Sequence, residues 1–407
     1  LILWVPTNLI MELVREREGR QNEAIADISG KWAGKQTVTG PLLLLPYNEQ
    51  IDGANGSRVW VTREAWFMPD HSDIQSSVVP ENRHRGIYQV AVYRSDINID
   101  IRFSPIKWTT LGIAPENILW NRARIVMNVT DNLRGINEDV FLHWGDSNIV
   151  FQPRPSDVQG APDILEAPVP LNPEIAAKDL SGSVKFSLNG SQRLVFAATA
   201  RENKLTMRSN WPNPSFTGVK LPDTREVKDS GFTASWKFMN RSVPQIWQNR
   251  YIDLSGSVLG ADLVIPVDSY DKTQRSVKYA LLCIILTFAA FFLIETIYKR
   301  PLHLVQYGLA GLALVLFYTL LLSISEYTGY NLAYLIASVA TIGLIAWFVG
   351  GIMRSGKLAT FISFVLAVVY GYIFTIIQLQ DYALLMGSFG LFAALAIIMY
   401  FSRKLQW

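Results

Sequence analysis

From residue 277 onward the chain reads as five long apolar runs separated by short polar links: 277–298, 302–325, 331–353, 358–380 and 382–401. Each run has the length of about 20 residues that carries a helix across a bilayer, and each is too long for a buried strand. Links this short predict antiparallel helical hairpins. The first fourteen residues, LILWVPTNLIMELV, form a shorter apolar run that ends at Arg15. They carry neither the basic start nor the small-residue cleavage site of a signal peptide. We read 1–14 as the outer part of a first, N-terminally truncated span. Ile25, Ile28 and Trp32 keep helical spacing beyond it, so the helix is expected to continue out of the membrane.

Residues 15–275 follow a different rhythm. In RGIYQVAVYRSDINIDIRF (85–103), Ile97, Ile99 and Ile101 alternate with Asn98, Asp100 and Arg102, the signature of a strand with one wet face. The stretch 183–211 reads as three strands, with turns at NGS (189–191) and REN (201–203). GFTASWKF (231–238) and SVLGADLVIPV (257–267) add further strands. The proline-rich stretch 152–175 suggests a joint between two β-halves. The expected fold is therefore a membrane protein: a helical bundle of one N-terminal and five C-terminal spans, with a large antiparallel, sandwich-like β-domain outside the membrane.

Charge sets the orientation. The C-terminal segment 276–407 carries seven Lys/Arg and three acids, so the remainder of the chain is near neutral and shows no basic footprint for nucleic acid. Lys299, Arg300, Arg354, Lys357, Arg403 and Lys404 fall in alternate links, and the links at Glu326 and Asp381 hold no basic residue. The positive-inside rule then places the basic links in the cytoplasm and the turns at Glu326 and Asp381, with the β-domain, on the outer side of the membrane. Asp381 interrupts nearly fifty apolar residues. A charge costs roughly 2.5–3.5 kcal/mol at a span centre and much less at an end, so it reads as the tip of an outer turn. The single cysteine, Cys283, excludes an intrachain disulfide.

Candidate chemistry is sparse. His71, His84 and His143 lack metal-ligand spacing, and no phosphate loop or nucleophile motif appears. No metal, cofactor, nucleic-acid partner or catalytic residue is expected. Polar residues in or beside spans are functional candidates by default. Glu295, His303 and Gln306 would form an inner cluster across one hairpin, with Glu295 also four residues before Lys299. Tyr318, Ser323, Ser325, Glu326 and Asp381 would form an outer one. In the β-domain, the many Trp, Tyr and Arg residues suit cross-strand packing or a face that binds glycan or peptide.

KQTVTGPLLLLPY (35–47), SNWPNPSFTGVKLP (209–222), VDSYDKTQRSVKYALL (267–282), FYTLLLSISEYTGYNLAYLIA (317–337) and QDYALLMGSFGLF (380–392) resemble the CreD family of bacterial inner-membrane proteins, in family order along the whole chain. The resemblance implies a cytoplasmic N-terminus, an initial span, a periplasmic domain and a C-terminal bundle. It also implies a link to envelope integrity and stress tolerance within a carbon-source-responsive two-component regulon, and it carries no activity, cofactor or catalytic residue. The expected function is a non-enzymatic envelope protein whose β-domain contacts an envelope component, lipid, glycan or protein. The alternative is a transporter or lipid-handling protein with a polar path through the bundle.

Overall fold

The computed structural model describes residues 4–52, 58–86, 88–130, 133–154, 163–250, 252–254, 256–265, 269–298, 303–353, 355–379 and 383–402. The chain divides into two compact units, 24–266 and the combination of 1–23 with 267–407. Helix α1 (Trp4–Trp32) is continuous from the apolar start into the first unit.

The β-rich unit holds β1 (Gln36–Asp52), β2 (Arg58–Phe67), β3 (His71–Arg85), β4 (Tyr88–Phe103), β5 (Arg124–Val129) and β6 (Phe141–Trp144). Then come β7 (Ser147–Val150), β8 (Gln152–Arg154), β9 (Ile164–Pro168), the short helix α2 (Pro173–Ala176), β10 (Leu180–Ser191) and β11 (Arg193–Ala197). The last strands are β12 (Glu202–Ser209), β13 (Pro214–Gly218), β14 (Thr224–Lys228), β15 (Gly231–Met239), β16 (Ile246–Gln248) and β17 (Val258–Leu263).

They form two sheets. One runs β13-β17-β11-β1-β5-β9-β8, with β2 and β16 attached through β1; the other runs β14-β15-β12-β3-β4-β10-β6-β7. Apolar side chains from both sheets enter one core, among them Leu43, Ile125 and Phe196 from the first and Ile74, Ile99 and Trp236 from the second. The run LLLL in β1 is explained by two-sided burial. Leu43 and Leu45 face this core, while Leu42 and Leu44 point the other way into a smaller cluster with Trp247 and Leu254. On β4 the expected alternation holds, with Ile97, Ile99, Ile101 and Phe103 buried.

Three expectations need correction. The sheets are not wholly antiparallel: β1 pairs with β11 and β3 with β12 in parallel. Nor does the β-unit divide at 152–175, because both sheets take strands from either side of that segment. The turn expected at 189–191 lies inside β10, which pairs with β4 through Ser191. The chain instead turns at Gln192, at φ 63°, and passes into the other sheet as β11. NGS has hairpin chemistry, but the change of sheet needs only one left-handed residue.

In the second unit, α3 (Ser269–Lys278) precedes α4 (Ala280–Tyr298), α5 (Leu304–Thr328), α6 (Tyr330–Met353), α7 (Gly356–Gln378) and α8 (Ala383–Ser402). Among the described residues, α5, α6 and α7 are long and apolar enough to cross a membrane. A single residue, Gly329, separates α5 from α6. Its φ of 77° favours glycine, and its N–H bond to the Ser325 carbonyl closes the last turn of α5.

Candidate functional site

The sequence-predicted clusters are rearranged. Glu295 accepts a 2.8 Å hydrogen bond from the Tyr307 hydroxyl rather than meeting His303. His303 and Gln306 form a capping box: the Val305 N–H donates to His303 Nδ1 at 3.3 Å, and the His303 N–H donates to Gln306 Oε1 at 3.0 Å. Two of the three proposed inner residues thus serve the first turn of α5. Lys299 lies outside the described residues.

The outer group divides as helical geometry requires. Ser323 is exposed, whereas Ser325 is buried and bonds the Leu322 carbonyl of its own helix. Glu326 is nearly buried and lies 3.5 Å from Arg17 of α1. Tyr318 sits two turns deeper. Asp381 lies outside the described residues.

What the bundle does bring together is a column of hydroxyls that starts near Lys272. Lys272 Nζ donates to Gln378 Oε1 at 3.2 Å, and Gln378 Nε2 donates to Asn331 Oδ1 at 2.7 Å. Ser276 donates to the Lys272 carbonyl at 2.8 Å and sits 2.7 Å from the Tyr330 hydroxyl. Deeper, Tyr334 donates to the Tyr370 carbonyl at 2.8 Å, and Phe317 packs edge-on against Tyr318, Tyr334 and Tyr370. Cys283 neighbours the Tyr318 and Tyr370 hydroxyls, and Thr287 bonds the Cys283 carbonyl at 2.8 Å. The Cys283 thiol is the polar group beside both hydroxyls, and neither hydroxyl closes a hydrogen bond to nitrogen or oxygen among the described residues. Below them Phe288 and Phe291 pack on Tyr307. Sequence reading singled out Tyr318 alone, although Tyr330 and Tyr334, one helical turn apart, were a visible signal.

A buried hydroxyl without a partner opposes folding by about 1–3 kcal/mol. Tyr318→Phe should therefore leave the thermal stability of the detergent-solubilised protein unchanged or raise it. Tyr334→Phe loses a made hydrogen bond and should cost about 1 kcal/mol. A clear drop in melting temperature for Tyr318→Phe would mean that its hydroxyl is bonded after all.

The β-unit offers a second candidate. The face of the eight-stranded sheet turned away from the core forms a trough of about 760 Å³. Period-two alternation places Thr206 and Arg208 of β12, Gln75 and Ser77 of β3, Asp96 and Asn98 of β4, and Lys185 and Ser187 of β10 along it. Register sets them in rows: Thr206 opposite Gln75, Gln75 opposite Asn98, Asn98 opposite Lys185. At the margins Arg94 is held by Ser187 at 2.7 Å and Glu138 at 3.0 Å, and Lys204 by Asp73 at 2.7 Å. Lys185, Arg208 and Asp96 are exposed and have no partner among the described residues. The sequence showed the wet face of β4 but not which strands extend it. No group of His, Cys, Asp or Glu among the described residues is arranged to hold a metal, and His71 instead lies 3.2 Å from Glu202.

Spanning-length apolar helices and a large β-rich unit in one chain fit a membrane protein. The family model described as inner membrane protein CreD matches residues 1–407, and the chain belongs to the CreD family. The inner membrane protein CreD of Escherichia coli (strain K12) is 30% identical over 420 residues, covering 100% of this chain and 91% of that protein. A crystal structure from Parabacteroides distasonis ATCC 8503, of a protein whose assignment as a protease is itself provisional, is 13% identical. It covers 74% of this chain and 59% of that one at a TM-score of 0.22, a likeness too weak to bear on the fold.

Proposed function

We propose that this protein is a non-enzymatic, six-span component of the bacterial inner membrane that supports envelope integrity by binding an envelope component through its β-domain. In this reading α1, α4 and α8 cross the bilayer together with the three longer helices. The two sheets form a sandwich in the periplasm, and the bundle anchors them. The observation that carries the proposal is the trough on the eight-stranded sheet, a concave site with unpaired charged groups on a rigid scaffold. Its volume falls within the range of about 300–1,000 Å³ common for ligand sites.

Photoreactive residues placed at Gln75 and Thr206 in intact cells should give adducts well in excess of a probe at exposed Val219. Equal adduct levels at all three positions would remove the trough from the function. The hydroxyl column favours a second reading, a polar path through the bundle, since Tyr318 and Tyr370 keep hydroxyls in its interior with only the Cys283 thiol beside them. In that reading a Tyr318→Phe/Tyr370→Phe variant would lose envelope protection while keeping its level in the membrane.

A further inference from the structure

We infer that the sheet containing β1 holds a second binding site, for the end of an alkyl chain whose head carries a negative charge. The site is separate from the trough and does not rest on it. Leu42, Trp66, Val126 and Ile164, from four strands of that sheet, gather on the face turned away from the main core. Register sets Leu42 opposite Val126 and Trp66 opposite Trp247 of β16, and the two indoles stack at 6.1 Å. The chain beyond β16 brings Leu254 onto the same cluster. Asn249 fixes its path: the N–H donates to the Glu64 carbonyl at 3.1 Å, and the side-chain amide donates to the Tyr47 hydroxyl at 2.9 Å. These residues enclose a partly open cavity of about 70 Å³. An apolar cavity of roughly 150 Å³ takes benzene, so this smaller one excludes a ring and admits a chain end. A methylene chain returns the dispersion contacts that an apolar void lacks.

Charge at the rim selects the head group. Among the described residues Arg250 is the only charged one that lines the cavity, and it is exposed with no partner of its own. The glutamates of the same face are already tied. Glu166, opposite Val126, pairs with Arg124 at 2.8 Å and Arg154 at 3.2 Å, and Glu64 pairs with Arg154 at 3.0 Å. Asp163 and Asp253, close in sequence to lining residues, each have a partner as well. One free guanidinium therefore stands at the mouth of an apolar slot without a free carboxylate to balance it. Its planar fork fits a carboxylate or a phosphate, and a positively charged head would be repelled.

The test uses the full-length protein in lipid nanodiscs at low ionic strength, because surface charge contacts are screened by salt. Octanoate bearing a diazirine near its methyl end is photoactivated, and its adducts are mapped by peptide mass spectrometry. Adducts should concentrate on residues 246–254, and unlabelled octanoate or octyl phosphate should suppress them. Octanol, which lacks the charge, and phenylpropanoate, which ends in a ring, should need at least tenfold higher concentrations. Arg250→Gln should erase the advantage of octanoate over octanol, with the melting temperature unchanged. Adducts confined to the helical bundle overturn the assignment. So does suppression by octanol or phenylpropanoate at the same concentration as octanoate, or an advantage that survives Arg250→Gln. The trough probes at Gln75 and Thr206 lie on the other sheet, so their result is read independently.

Discussion

Trp236→Ala should unfold the β-rich unit at temperatures where the native protein is intact. Trp236 is the largest side chain that the structure buries completely. It lies on β15 and packs edge-on against Phe216 of β13, which belongs to the other sheet, with centroids 5.7 Å apart. Phe232 meets the same Phe216 at 5.6 Å. These rings close the core between the sheets near their β13–β15 edge. Truncating a buried tryptophan costs about 3–5 kcal/mol, a large share of a typical domain's stability of about 5–15 kcal/mol. The indole Nε1 finds no partner among the described residues. Trp236→Phe, which keeps a ring and removes that donor, should therefore cost much less than Trp236→Ala. Thermal unfolding of the detergent-solubilised protein, followed by tryptophan fluorescence and circular dichroism, measures both. Equal losses for the two variants would show that the indole, not the aromatic packing, holds the site.

Gly190→Ala should be nearly as damaging, for the opposite reason. Gly190 pairs with Tyr93 across β10 and β4, and a methyl group there would collide with the Tyr93 hydroxyl and its ring carbon and stand 2.7 Å from Gln36 Cγ. Tyr93 has little room to yield. It is fully buried, and its hydroxyl donates to the Arg193 carbonyl at 2.7 Å, linking β4 to β11 of the other sheet. Overpacking typically costs 1–3 kcal/mol, and loss of a buried hydrogen bond adds about 1. Tyr93→Phe removes the nearest clashing atom, so Gly190→Ala/Tyr93→Phe should be more stable than the sum of the single losses. Strict additivity would place the clash elsewhere. The same tyrosine shapes the alkaline response, since burial pushes its ionisation well above the ordinary range. Its contribution is complete below the unfolded value near 10 and declines as pH rises beyond it, so Tyr93→Phe should flatten that decline.

How much of this was legible depends on the range of the interaction. The helical bundle was visible because each run reports its own environment: α6 (Tyr330–Met353) falls within one residue of the apolar run at 331–353. The β4 strand was equally visible, since its period of two is local. His303 was misread because histidine is an unusual cap, so the H-x-x-Q spacing looked like a polar cluster rather than a helix start. Ser323 and Ser325 were grouped by nearness in sequence, although residues two apart on a helix point in different directions. The trough was hidden for a deeper reason. It requires β12 beside β3 and β3 beside β4, with the register that aligns Thr206, Gln75 and Asn98. No single stretch of sequence encodes that row.

The parallel pairing of β1 with β11 has a consequence for biogenesis. Gln36, Thr37 and Val38 lie opposite Leu194, Val195 and Phe196, so the start of β1 cannot complete its ladder until the ribosome has supplied most of the domain, whereas the LLLL run finds β2 and β5 earlier. Until then those three residues leave an open ladder at the start of β1, and the sheet waits on a distant closure. This sheet therefore closes only after the eleventh strand has emerged, late in synthesis of the domain.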